Sequence, residues 1–244
     1  GKESQVEPAF INEGERIAYL QGGNLWTMKC DGTDKKQLSQ GEDIEGYKFS
    51  PDGKQIVVIR QVAATTSIMP KEKDLPLATG LVINDMNYRH WDQYVQTIPH
   101  IFLASVEKDG LGEMKDLLEG EPYECPVLPF GGSEQFCWSP DGKQIAYTSR
   151  KKTGVDYATS TDTDIYIYNV ETGQTTNVCK PEGYVEPKAD ALKSLEKQAK
   201  NQQSEDINAG YDQDPQFSPD GTMLAWKSME RDGYESDRLR LCIL

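Results

Sequence analysis

The chain has few of the residues that enzymes use for proton transfer and metal binding. Of 244 residues only two are histidines, His90 and His100, too few for a histidine-rich metal centre. No H-E-x-x-H, phosphate-loop or dinucleotide-type glycine pattern occurs. Gly131-Gly132-Ser133-Glu134-Gln135 lacks the final glycine of a nucleophile elbow. Basic charge is also short, 26 Lys and Arg against 40 Asp and Glu, for a net −14. That balance excludes nucleic acid and anionic membrane as partners. No apolar run approaches the roughly 18 residues of a membrane span, so membrane insertion is excluded for these residues. The five cysteines, Cys30, Cys125, Cys137, Cys179 and Cys242, show no C-x-x-C spacing and are odd in number. They read as mostly buried structural thiols, and they fix no compartment. Two D-x-D pairs, Asp162-Thr163-Asp164 and Asp212-Gln213-Asp214, lack the rest of a calcium loop and read as solvated turn carboxylates. No cofactor and no metal are expected.

What the chain has is a repeat. F-S-P-D-G-K-Q-I-V-V starts at Phe49, W-S-P-D-G-K-Q-I-A-Y at Trp138 and F-S-P-D-G-T-M-L-A-W at Phe217, with a worn copy, F-I-N-E-G-E-R-I-A-Y, at Phe10. The aromatics lie 39, 89 and 79 residues apart. The shortest interval matches one four-stranded propeller blade of about 40–45 residues. Each phrase reads as strand, Ser-Pro-Asp-Gly turn, strand: proline presets φ at the second turn position and glycine suits the fourth. A second half-motif follows in each unit, N-L-W-T-M-K-C-D-G from Asn24, H-I-F-L-A-S-V-E-K-D-G from His100 and D-I-Y-I-Y-N-V-E-T-G from Asp164. Each long interval holds only one second half, so each is one blade plus an insertion.

The expected fold is therefore an all-β, partial propeller of about three to four four-stranded blades. The blades run about 10–43, 44–130, 131–183 and 211–244, with insertions about 62–99 and 183–210. The second insertion opens with the helix-compatible Pro187 and carries Ala189, Leu192, Leu195 and Ala199 along one side, which predicts one short inserted surface helix. Leu241 aligns with Leu25 and Ile165, so the last residues begin a third strand. Three blades and a fraction do not close a propeller, which makes the chain read as a piece of a longer protein, with self-association as the other way to close. Gly1 before a polar stretch reads as a trimmed N-terminus and leaves room for a removed export signal.

Strand parity sorts the loops. In an up-and-down blade the S-P-D-G turns take one face, and the second-to-third loops and inter-blade connections take the other. All irregular segments should converge on that second face, where inserted material usually binds. Two loops there are chemically dense: Asn84–Asp92, N-D-M-N-Y-R-H-W-D, and Met229–Asp237, M-E-R-D-G-Y-E-S-D. Arg89, Trp91, Asp92, Arg231, Tyr234 and Glu235 are the residue types that clamp a polar ligand or a partner domain.

The S-P-D-G-K-Q-I-A-Y phrase, Y-R-H-W-D at Tyr88–Asp92 followed by H-I-F-L-A, and S-M-E-R-D-G-Y-E-S-D from Ser228 together resemble the N-terminal propeller of prolyl oligopeptidase-family serine peptidases, in the dipeptidyl and acylaminoacyl peptidase branch. The S-P-D-G phrase is shared with TolB-like periplasmic propellers; the other two segments are the specific part. The resemblance implies a C-terminal α/β-hydrolase domain carrying a Ser-Asp-His triad, a propeller that caps it and admits short peptides, and a periplasmic or secreted location. It implies an ammonium contact for Glu235 or Asp92 and a carbonyl contact for Arg231 or Arg89. No triad residue maps onto this chain, so these 244 residues alone are expected to hydrolyse no peptide. The competing reading is a non-enzymatic TolB-like propeller that binds a protein partner through the same face.

Overall fold

The computed structural model describes residues 6–64, 77, 95, 97–152, 154–184 and 208–244. Four antiparallel sheets follow one another along the chain. The first holds β1 (Val6–Ile11), β2 (Arg16–Gln21), β3 (Asn24–Lys29) and β4 (Lys36–Gln37). The second holds β5 (Gly46–Phe49), β6 (Gln55–Ala63), β7 (Thr97–Glu107) and a split fourth strand, β8 (Gly110–Leu111) with β9 (Lys115–Asp116), both paired to β7. The third holds β10 (Phe136–Trp138), β11 (Gln144–Ser149), β12 (Asp164–Asn169) and β13 (Thr175–Asn177). The fourth holds β14 (Asp212–Phe217), β15 (Leu224–Ser228) and β16 (Arg240–Ile243). Each sheet is a simple meander, the order of a propeller blade.

The repeat survives in the register. Phe10 faces Ile17, Phe49 faces Ile56, Trp138 faces Ile145 and Phe217 faces Leu224. The turns after the last three aromatics are built alike. The glycine N–H bonds the serine carbonyl at 2.9 Å in all three, and Gly53, Gly142 and Gly221 sit at φ +70, +71 and +73. The serine hydroxyl donates to the aspartate carboxylate at 2.6–2.7 Å and accepts the N–H five residues on at 2.9–3.0 Å. The N–H two residues on, foremost for Asp52, and the serine hydroxyl, foremost for Asp141 and Asp220, donate to these carboxylates and hold all three below the usual range, Asp220 down to about 2. The worn copy departs: a 3₁₀ turn, Asn12–Gly14, takes its place, with Glu13 at φ +56.

The core lies between blades. Alternate residues of one strand serve two interfaces, as period-2 side-chain geometry requires. Ile56 and Val58 pack with Ala18, Leu20 and Leu25 of the first blade, while Val57 and Ile59 pack with Phe136, Ile145 and Tyr147 of the third. Ala146 and Ile165 then pack with Phe217, Leu224 and Trp226 of the fourth. Leu25, Ile101 and Ile165 are fully buried, whereas Leu241, at the same register position on the outer side of the fourth blade, is 70% exposed. Burial at this position therefore belongs to blade-on-blade packing and not to the sheet alone, and is worth about 1.5–3 kcal/mol per side chain.

Two details go beyond the sequence reading. Strands β6 and β7 reach into both ends of the 62–99 insertion, pairing Val62 with Ile98 and Ala63 with Thr97, because the hairpin ladder continues past the apolar core. The short helix described, α1 (Gly154–Thr159), lies in the loop joining β11 to β12. The helix expected over 187–199 falls outside the described residues.

Candidate functional site

Where each blade leads to the next, the chain bonds back to the start of the third strand, or just before it, by equivalent backbone bonds: Ile44 N–H to Gly23 O, Cys125 N–H to Pro99 O and Asp212 N–H to Thr163 O, at 2.8, 2.9 and 3.1 Å. All these segments lie at the strand ends opposite the S-P-D-G turns, as the meander requires.

On that face the 229–237 loop is a tightly bonded unit. Arg231 donates from Nε and Nη2 to the two oxygens of Asp237 at 3.1 and 3.0 Å, a fork-on-carboxylate pair. The Arg231 N–H also donates to Asp237 at 3.2 Å, and the Arg238 N–H at 2.8 Å. The guanidinium lies 4.1 Å from the centre of the Tyr234 ring. Hydrogen bonding from Arg231 holds Asp237 well below the usual carboxylate range. The loop is pinned to the neighbouring blade by Asp232, which accepts from Ser160 Oγ at 2.7 Å and Thr161 N–H at 2.9 Å. Thr161 Oγ1 in turn accepts the Gly233 N–H at 2.9 Å. Gly233 sits at φ +67, a conformation that favours glycine. Glu235 is exposed and bonded to Tyr211, whose hydroxyl is raised by burial and then by that carboxylate.

Of the expected residues, Arg231 and Tyr234 are in contact and Glu235 is bonded instead to Tyr211; Asp232 and Asp237, which the sequence reading left out, bond the loop together. Arg89, Trp91 and Asp92 fall outside the described residues.

Beneath the face lie two buried polar clusters. In the first, Lys180 Nζ approaches Asp162 Oδ1 at 3.1 Å, Asp164 Oδ1 at 3.5 Å and the Asn208 carbonyl at 3.2 Å, while Lys152 pairs with Asp162 Oδ2 at 2.7 Å. Asp212 accepts from Trp226 Nε1 at 2.8 Å, and burial raises it to about 6. Asp162, Asp164 and Asp212 are 3, 3 and 0% exposed, so the expectation of solvated turn carboxylates is overturned for these three. A buried carboxylate needs partners, and lysines from the loop after β11 and the segment after β13 supply them. Asp214 is the remaining one and pairs with Lys227. Asp164, Cys179 and Asp212 bring their ligand atoms within 4.8 Å of one another. Within this group Lys180 lies against Asp164, Trp226 Nε1 donates to Asp212 and the Ile165 N–H donates to Cys179 Sγ.

In the second cluster Glu124, fully buried, meets Arg150 Nη2 at 3.5 Å, Leu128 N–H at 3.2 Å and the Tyr157 hydroxyl. Burial pushes Glu124 up to about 8. Arg150 also donates to the Ser160 carbonyl at 3.0 Å and stacks 4.5 Å from the Tyr157 ring. This cluster ties α1 and the 117–135 connection to the end of β11. A cavity of about 170 Å³ lies between the first strands and the 126–133 segment, lined by Glu7, Glu45, Ile59, Pro99, Pro126 and Ser133 among others; Arg231, Tyr234 and Glu235 do not line it. Of the cysteines, Cys125 and Cys137 are buried, Cys179 and Cys242 are half-buried and Cys30 is exposed.

No family model matches the chain. Relatives do. The chain is 44% identical over 248 residues to "Dipeptidyl-peptidase 5" of Porphyromonas gingivalis, covering 98% of the chain and 32% of that protein. It is 41% identical over 249 residues to the protein of the same name from Porphyromonas endodontalis, covering all of the chain and 32% of that protein. The chain is homologous to the N-terminal region of dipeptidyl-peptidase 5. It spans about a third of those relatives' length. Among solved structures, Pyrococcus horikoshii acylaminoacyl peptidase matches 98% of the chain and 30% of its own length, with a TM-score of 0.56 at 12% identity. A putative TolB from Agrobacterium tumefaciens matches all of the chain and 59% of its own length, with a TM-score of 0.52 at 15% identity. These likenesses carry the propeller fold. In the dipeptidyl-peptidase 5 relatives the matching region sits in one chain with a larger remainder, which places the bonded 229–237 loop in a peptidase-family propeller.

Proposed function

We propose that the chain is the substrate-gating propeller region of an exported serine exopeptidase of the dipeptidyl or acylaminoacyl type. Its loop face is turned toward an α/β-hydrolase domain that supplies the catalytic triad. The peptide's free ammonium meets a carboxylate, Glu235 or Asp92. The first carbonyl meets Arg231 or Arg89, and Tyr234 and Trp91 flank the ligand. The observation that carries this reading is the loop at 229–237. Arg231, with the Tyr234 ring against it, is held at the surface by Asp237 on a loop pinned by Asp232, and Glu235 bonds Tyr211, so little ordering remains for a ligand to impose. Homology to dipeptidyl-peptidase 5 supports the substrate class.

The test is kinetic. In the full-length enzyme, Arg231→Ala and Glu235→Ala should lower kcat/KM for free-N-terminus peptides by about 10–100-fold, the loss of one charge-assisted contact of about 1.5–3 kcal/mol. N-blocked peptides should lose much less. Equal losses on both substrates would leave the loop a structural part only. Export to the periplasm or the medium belongs to the same proposal, and fractionation of cells expressing the full-length gene checks it.

A further inference from the structure

We infer that Asp237 is a specificity-determining residue: by answering the charge of Arg231 it turns the open guanidinium edge into a donor pair for a neutral carbonyl beside an ammonium, and against a carboxylate at that place. The inference rests on the reading of Arg231 and Glu235 given above.

The geometry is specific. Arg231 spends Nε and Nη2 on Asp237 and stacks its face on Tyr234, while its side chain remains 45% exposed. The remaining edge, with the Nη1 donors, is what a ligand can reach. An arginine alone at the surface would favour a carboxylate, which matches its fork and its charge. With Asp237 on the opposite edge the pair is close to neutral. Three further carboxylates, Glu230, Asp232 and Glu235, share the loop against two following cations, Arg238 and Arg240, of which Arg240 is paired with Glu230 at 3.4 Å. A carboxylate brought to Nη1 would stand near Asp237, where like charges repel. A neutral carbonyl accepts the same hydrogen bonds without that repulsion. Glu235 then takes the adjacent ammonium. The combination selects an aminoacyl group already bonded onward, as in a peptide or amide, and rejects the free amino acid.

The experiment compares phenylalaninamide with phenylalanine as competitive inhibitors of the full-length enzyme, in native, Asp237→Asn, Asp237→Glu and Glu171→Gln forms. Glu171 is an exposed turn residue distant in sequence from this loop and controls for overall charge. The native enzyme should prefer the amide by about tenfold or more, the scale of one charge-assisted contact. Asp237→Asn should reduce that preference about tenfold by strengthening binding of phenylalanine, while Asp237→Glu and Glu171→Gln should keep it. The inference is overturned if both compounds inhibit and Asp237→Asn leaves their ratio unchanged, or if Asp237→Glu loses the preference as fully as Asp237→Asn. If neither compound inhibits the native enzyme, the reading of Arg231 and Glu235 falls and this inference falls with it.

Discussion

Gly142 and Pro51 belong to different blades, yet Pro51 Cδ lies 3.8 Å from where a Gly142 β-carbon would stand; Pro140 lies 3.5 Å from the same point on Gly221. The S-P-D-G turn therefore does two things. Its glycine takes the left-handed conformation that ends the reversal, and its proline lies beside the glycine of the next turn. Gly142→Ala should cost about 1–2 kcal/mol from the left-handed backbone alone, read as a lower urea midpoint at unchanged slope. A change below a few tenths would mean that the turn relaxes freely. Glu124 offers a pH test. Its folded-state pKa is raised from 4.5 to about 8 by burial, so the folded state holds the proton more tightly than the unfolded chain. Its contribution to stability is complete below about pH 4.5 and is lost as pH rises through about 8. Denaturant midpoints should fall from about pH 4.5 to about 8 and level off above, and Glu124→Gln should flatten that fall. An identical slope in the variant would assign the titration elsewhere.

Among elements, the junction of the third and fourth blades stands apart because it is ionic at one end and apolar at the other. Cys137, Ala146 and Ile165 meet Phe217 and Trp226 in its core, while Lys180, Lys152 and three aspartates close its loop end. Lys180→Met should destabilise by about 3–5 kcal/mol, since it leaves buried carboxylates short of a cation; thermal or urea unfolding measures it. A neutral result would mean that those carboxylates are protonated and need no lysine. This junction also shows where sequence reading stops. The strands on both sides were legible, because aromatic, turn and apolar residues recur at fixed offsets. The D-x-D pairs were visible too, but their burial was not. It depends on Lys180, which lies 18 residues from Asp162 in the chain, and a single sequence offers no sign of that pairing. The role of Asp237 was hidden differently: it is six residues from Arg231 and could have been suspected, but only the loop's conformation makes the fork.

For the whole molecule, the repeat made the architecture readable from four aromatics and their spacing, because a blade's period is imposed by strand length and turn chemistry. The face assignment followed from strand parity, and the bonds of the described loops agree with it. The central claim is that this loop face meets the N-terminal end of a peptide. A direct measurement is photo-crosslinking in the full-length enzyme with a short peptide carrying a diazirine on its first residue, mapped by mass spectrometry. The account predicts label on the 229–237 loop, with lesser label on the adjoining 150–163 loop, and its loss when unlabelled peptide competes. Label on the S-P-D-G turns around Asp52, Asp141 and Asp220, or competed label confined to regions outside this chain, would contradict it.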